Sequence, residues 1–162
     1  MLIIIVMGVV GAGKTTVGQL LAEHLGWPFA DADDFHSPEN VEKIRNGHPL
    51  TNEDRRPWLA ALHEAVVGWD AAGVNAVLAC SAPKHEYREA LQAGSTRFVY
   101  LKGSPETISS RLGNRRGHFA TDSILESQFA DLEEPTNAVT VRIDKRPDAI
   151  VEEVLAKLNL AN

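Results

Sequence analysis

Six consecutive apolar residues, Leu2-Ile3-Ile4-Ile5-Val6-Met7, stand near the start of the chain. An uninterrupted, β-branched run of this length predicts a strand covered on both faces, as at the centre of a parallel sheet. Downstream the period changes: Val17, Leu20, Leu21 and Leu25 recur at helical spacing and stop at Gly26, a residue suited to end a helix. Four more short apolar runs, at 28–31, 76–80, 98–101 and 139–143, read as strands. The most regular helical pattern covers 52–72, where Leu59, Leu62, Ala65, Val66 and Trp69 form one apolar face and Pro57 falls near the start. Further helices are expected at 37–46, 84–93, 105–115, 123–131 and 147–158. Five strands alternating with helices predict a doubly wound α/β fold: a parallel sheet with right-handed crossovers and helices on both faces. No repeat, low-complexity tract or linker interrupts the pattern, so residues 1–162 are expected to form one domain.

Composition narrows the partners. The chain of 162 residues has 44% hydrophobic and 23% charged residues and a formal net charge of -6, a balance that supports a sizeable core. No run of Lys and Arg is long enough to track a polynucleotide backbone, which argues against nucleic acid as a partner. The apolar run at 2–7 is too short for a membrane span and lacks a basic leader, so no membrane association and a cytoplasmic location are expected. The one cysteine, Cys80, ends an apolar run and reads as a small buried hydrophobe.

The chemistry begins directly after the first strand. Gly8-Val9-Val10-Gly11-Ala12-Gly13-Lys14-Thr15 fits GxxxxGK[ST] and sits between that strand and a helix. This arrangement aims backbone N–H groups and a helix N-terminus at an anion, and it identifies a P-loop NTPase fold. Gly8, Gly11, Ala12, Gly13, Lys14, Thr15 and Thr16 are therefore expected to hold the phosphates of ATP. Lys14 should reach the β- and γ-oxygens, and the Thr15 hydroxyl should ligate Mg²⁺.

Many P-loop proteins hold Mg²⁺ with an aspartate at the end of a later strand, but the third apolar run ends Ala79-Cys80-Ser81 without a carboxylate, so another acid must serve. Strand two instead ends Asp31-Ala32-Asp33-Asp34, which puts Asp31 and Asp33 on one side of the chain beside the P-loop. Asp31 is the candidate for the water shell of the metal. Asp33 is the candidate to accept or orient the attacking hydroxyl. Arg111, Arg115 and Arg116, at the end of a helix running into Gly117-His118-Phe119, read as part of a helical lid over about 112–123 that closes on the nucleotide. Arg55, Arg56, Lys84 and Arg88 add positive charge suited to an anionic acceptor.

Several longer strings then resemble the bacterial gluconate kinases: Asp31-Ala32-Asp33-Asp34-Phe35-His36, Gly47-His48-Pro49-Leu50-Thr51, Asp54-Arg55-Arg56-Pro57-Trp58-Leu59, Gly117-His118-Phe119, and Gln128-Phe129 before Leu132-Glu133-Glu134-Pro135. The resemblance covers nearly the whole chain. It implies ATP:gluconate 6-phosphotransferase activity in a fold similar to the shikimate and nucleoside monophosphate kinases, with a homodimer as the usual assembly. Carried over by position, it sets Asp33, His36, Arg55, Lys84 and Arg88 against gluconate, with Arg111 and Arg115 serving the nucleotide and lid. Lys14, Asp33 and Arg115 would be catalytic. Ala12, Ala32 and Pro83 depart from the family's commoner residues, and Pro83 removes an N–H and restricts Ala82 beside the expected acceptor pocket. A GTPase reading lacks an Asn-Lys-x-Asp string, and a binding protein without turnover is expected to have lost Lys14, Asp33 or the lid arginines.

Overall fold

The computed structural model describes residues 2–93, 95–112 and 119–160, the side chains of 112 and 119–124 excepted. Five parallel strands, β1 (Ile3–Met7), β2 (Phe29–Asp31), β3 (Ala76–Ala79), β4 (Thr96–Lys102) and β5 (Val139–Arg142), form one sheet in the order β2-β3-β1-β4-β5. All five residues of β1 are buried, because β3 and β4 flank it and helices cover both faces. The unbroken apolar run in the sequence is the signature of that central position.

Alternate side chains of each strand feed two cores. Ile4 and Val6, with Val77, Val99 and Val141, pack under α1 (Lys14–Leu25) and α7 (Pro147–Lys157) through Val17, Leu21, Ile150 and Val154. Ile3, Ile5 and Met7, with Leu78 and Phe98, pack under α3 (Asn52–Ala72) and α4 (His85–Leu91) through Trp58, Leu62, Val66 and Leu91. The remaining helices are α2 (Pro38–Arg45), α5 (Pro105–Leu112) and α6 (Phe119–Asp131).

The 52–72 helix has the bounds its pattern predicts, because both ends are encoded. At its start the Thr51 hydroxyl accepts from Asp54 N while the Asp54 carboxylate accepts from Thr51 N, a reciprocal cap. At its end Gly73 takes a left-handed conformation. The fourth helix is shorter than the expected 84–93, and the sixth begins earlier than the expected 123. The continuation of α5 to 115 and most of the lid at 112–123 lie outside the described residues.

The strand order places the site. From the carboxyl end of β1 the chain leaves toward β2, whereas from that of β3 it leaves toward β4. The divergence opens a crevice above β1 and β3, the place where open α/β sheets bind ligands.

Candidate active site

The P-loop fills the β1 end of this crevice. Gly8 has φ 158° and lies so close to β4 that an added Cβ would sit 3.1 Å from the Leu101 carbonyl oxygen. Gly13 has φ 96°, a left-handed conformation that feeds the chain into α1. No described side chain caps this helix, so its first N–H groups are left for an anion.

Lys14 Nζ donates to the Val9 carbonyl at 3.2 Å, folding the side chain back over the loop. Burial pushes the Lys14 ammonium below its ordinary pKa, against the opposing pull of Asp33, Cys80 and Asp31. A desolvated cation gains most from an arriving phosphate.

Strand β2 supplies the acids. Thr15 Oγ1 donates to Asp31 Oδ2 at 2.7 Å, and Asp33 N donates to Asp31 Oδ1 at 2.9 Å. Asp31 thereby caps the 3₁₀ turn Ala32–Phe35, and Asp33 lines the crevice. As a whole residue Asp33 is exposed, yet protein crowds its carboxyl. Desolvation raises its pKa, with Lys14 pulling the other way. The hydroxyl of Thr15 beside the carboxylate of Asp31 is a hard oxygen pair that fits Mg²⁺.

A cleft opens from the P-loop past Lys14, Asp33 and Ser81 to His36, Arg55 and Trp58. Its floor is Trp58, whose Nε1 donates to the Ala32 carbonyl at 2.7 Å and whose ring stacks on His36 with centroids 4.5 Å apart and planes within 9°. Asn40 Nδ2 lies 3.2 Å from His36 Nδ1 and donates to the Asp54 carbonyl at 2.8 Å. Burial, assisted by the charge of Arg55, lowers the His36 pKa to about 4. The ring is therefore neutral at pH 7. Arg55 is 9% exposed, bonds Tyr87 Oη at 3.2 Å and stands 3.5 Å from Asp131 Oδ2. Lys14 and Arg55 are the two cations among the described residues that line the cleft.

Two expected acceptor residues are placed elsewhere. Arg88 does not line the cleft; its guanidinium donates to the carbonyls of Ala82 at 2.8 Å, Pro83 at 3.2 Å and Glu133 at 2.7 Å. Glu133 N donates to the Pro83 carbonyl at 2.7 Å, and Glu133 Oε1 accepts from His85 N, so Arg88 is a strut between two loops. That clamp holds Ala82 at φ 40°, the restricted residue before Pro83. Lys84 lines a separate groove with His85 and Asp131, its Nζ 3.3 Å from Asn52 Oδ1. Arg111 donates to the Ile143 carbonyl, beside the loop that follows β5. Arg56 lies in a surface groove with Asn52 and Tyr87. Arg115, Arg116 and His118 are outside the described residues.

The shikimate kinase family model matches residues 10–159. The chain is 45% identical to a gluconokinase of Gluconobacter oxydans, over 94% of this chain and 88% of that one. It is 44% identical to a probable gluconokinase of Xenopus tropicalis, over 94% and 91%. The chain belongs to the gluconokinases, within the shikimate kinase family. A gluconokinase structure from Sinorhizobium meliloti superposes with a TM-score of 0.86 at 41% identity, covering 96% of this chain and 90% of that one. A shikimate kinase from Bacteroides thetaiotaomicron shares the fold, with a TM-score of 0.71 at 22% identity over 98% and 99%. Like other gluconokinases, this chain is an ATP-dependent kinase.

In this gluconokinase three residues join the site that charge and spacing do not single out: Trp58 as floor, Asn40 beside His36, and Gln128. The Gln128 carbonyl oxygen accepts from Val10 N of the P-loop at 2.6 Å, across 118 positions of sequence. A glutamine within a helical pattern carries no signal for such a bond. Only its place in the family string marked it.

Proposed function

We propose that the chain transfers the γ-phosphoryl group of MgATP to the 6-hydroxyl of D-gluconate, giving 6-phosphogluconate and ADP. The observation that carries this reading is the single cleft in which Lys14, Asp33 and Arg55 converge. It offers a phosphate cation at one end, a carboxylate in the middle and a buried guanidinium beyond. The gluconokinases at 39–45% identity, which span 89% or more of the chain, support the acceptor.

The P-loop N–H groups and Lys14 would hold the β- and γ-phosphates and offset charge on the transferring group. The carboxylate of Asp33 would take the proton of the acceptor hydroxyl as its oxygen bonds to the γ-phosphorus and the bond to ADP breaks. Arg55 would pair with the carboxylate of gluconate, a match of a planar donor fork to two oxygens. Neutral His36, stacked on Trp58, would bond hydroxyls along the polyol. Thr15 and Asp31 would hold Mg²⁺, which supplies charge neutralisation at the phosphate oxygens. Arg111 and Arg115 would serve the nucleotide, with 112–123 as lid. The same reading carries a cytoplasmic, homodimeric enzyme that binds neither nucleic acid nor membrane; no described helix is long and apolar enough to cross a bilayer.

The test is ADP release from MgATP against gluconate, other sugar acids, shikimate and nucleoside monophosphates. Turnover confined to gluconate is expected, with Lys14→Ala lowering it at least about 10²-fold. Turnover on another acceptor alone would overturn the assigned substrate, and full activity of Lys14→Ala would overturn the site.

A further inference from the structure

Gln128 lines the cleft beside the P-loop residue Val10. It lies on α6, which packs against α2 and whose Asp131 stands 3.5 Å from Arg55 of α3, and it lines the same cleft as Lys14, Asp33 and Arg55. Its 2.6 Å bond joins α6 to the P-loop. The chemistry of the bond fixes the orientation of the carboxamide. Val10 N–H can only donate, so the oxygen must face the loop, and both N–H donors of the amide belong to its other edge.

Val10 is the third residue of the phosphate loop, ahead of the Gly11-to-Thr15 stretch that turns onto α1. Lys14, from the same loop, and Asp33, from the turn that follows β2, line the cleft with it. A neutral donor pair held at this point is suited to oxygens that carry negative charge, as those of a transferring phosphoryl group do.

We infer that Gln128 is a further residue of the transfer site. Its oxygen holds the Val10 end of the P-loop in place, while its amide N–H groups donate to the oxygens passing between ATP and the acceptor. The inference rests on the kinase reading above. It also gives α6, which follows the expected lid, a direct bond to the phosphate loop.

Two variants separate the halves of this role. Gln128→Ala removes both the oxygen and the donors. Gln128→Glu keeps an oxygen for Val10 N–H but replaces the donors with negative charge beside the phosphates. The wild-type enzyme is assayed alongside with its best acceptor, so that failure of the gluconate reading shows in the wild type and failure of this inference shows only in the variants. Both variants are expected to lose about 10²-fold in kcat. Melting temperature and the Kd for ADP are expected to stay near wild type in Gln128→Ala. Turnover within twofold of wild type in either variant would overturn the inference, as would a loss in Gln128→Ala matched by a collapse of its melting temperature.

Discussion

The hydroxyl of Thr15, in the first turn of α1, donates to the carboxylate of Asp31, at the end of β2, across 2.7 Å. The same carboxylate accepts from Asp33 N with its other oxygen. One side chain thus ties the expected metal position to the backbone of the expected base. Asp31→Asn is the informative change, because its amide oxygen can still accept from Asp33 N while the negative charge is gone. The Mg²⁺ concentration needed for half-maximal activity should rise by about 10–100-fold, as when a residue supporting a metal is lost. Titration of activity with Mg²⁺ at fixed ATP checks this, and an unchanged midpoint would remove Asp31 from the metal site.

Asp33 should set the acid limb of the pH–rate profile. Desolvation raises its pKa above the ordinary carboxylate range, and Lys14 only partly opposes the shift. A base must be deprotonated to accept the hydroxyl proton, so kcat/KM should fall as pH drops, starting above the usual carboxylate value of about 4. Asp33→Asn should lower kcat by about 10²–10⁴-fold and leave the Kd for ADP within a few-fold. Equal losses in both quantities would place Asp33 with the nucleotide and metal instead.

Arg88 should behave as a structural residue. Its guanidinium is buried against the carbonyls of Ala82, Pro83 and Glu133. Arg88→Ala removes the guanidinium from the Ala82 and Glu133 carbonyls, leaves the Pro83 carbonyl with Glu133 N alone and opens a cavity, which should cost about 2–5 kcal/mol of stability in a denaturant titration. Arg88→Lys should recover only part of this, since one ammonium cannot span three carbonyls on two loops. A raised KM for gluconate at unchanged stability would return Arg88 to the acceptor site.

Arg88 also shows where the sequence stops being readable. The P-loop, strand β1 and helix α3 are legible because backbone chemistry dictates them locally: glycines where the chain turns, apolar residues where both faces are covered, a reciprocal cap at Thr51 and Asp54. The site residues Lys14, Thr15, Asp31 and Asp33 follow because they adjoin strand ends that the topology brings together. Arg55 and Arg88 look alike as letters, since a guanidinium binds backbone carbonyls as readily as a carboxylate. Only the fold sends Arg55 into the cleft and Arg88 between two loops. The bond from Val10 to Gln128 spans 118 residues and leaves no local pattern at either end.

His36 gives a stability test whose sign follows from its setting. The ring stacks on Trp58, meets Asn40 at Nδ1 and lies near the charge of Arg55. Its pKa in the folded protein is about 4, against 6.5 for the ordinary side chain. Between these values the unfolded chain binds a proton that the native protein does not, so the stability of the folded state rises with pH there. On acidification the His36 contribution should be intact above about pH 6.5 and decline as pH falls toward 4. Asp54, held at about 2 by its bonds to Lys43 and Thr51 against 3.8 for the ordinary side chain, shifts stability in the same direction but mainly below about pH 4, outside most of that window. Denaturant midpoints measured at intervals from pH 7 to about 4.5 should therefore fall less steeply in His36→Gln than in the wild type. Parallel pH dependences in the two proteins would mean that His36 charges as readily in the folded state as in the unfolded one, and the neutral, stacked ring assigned to the acceptor cleft would have to be abandoned.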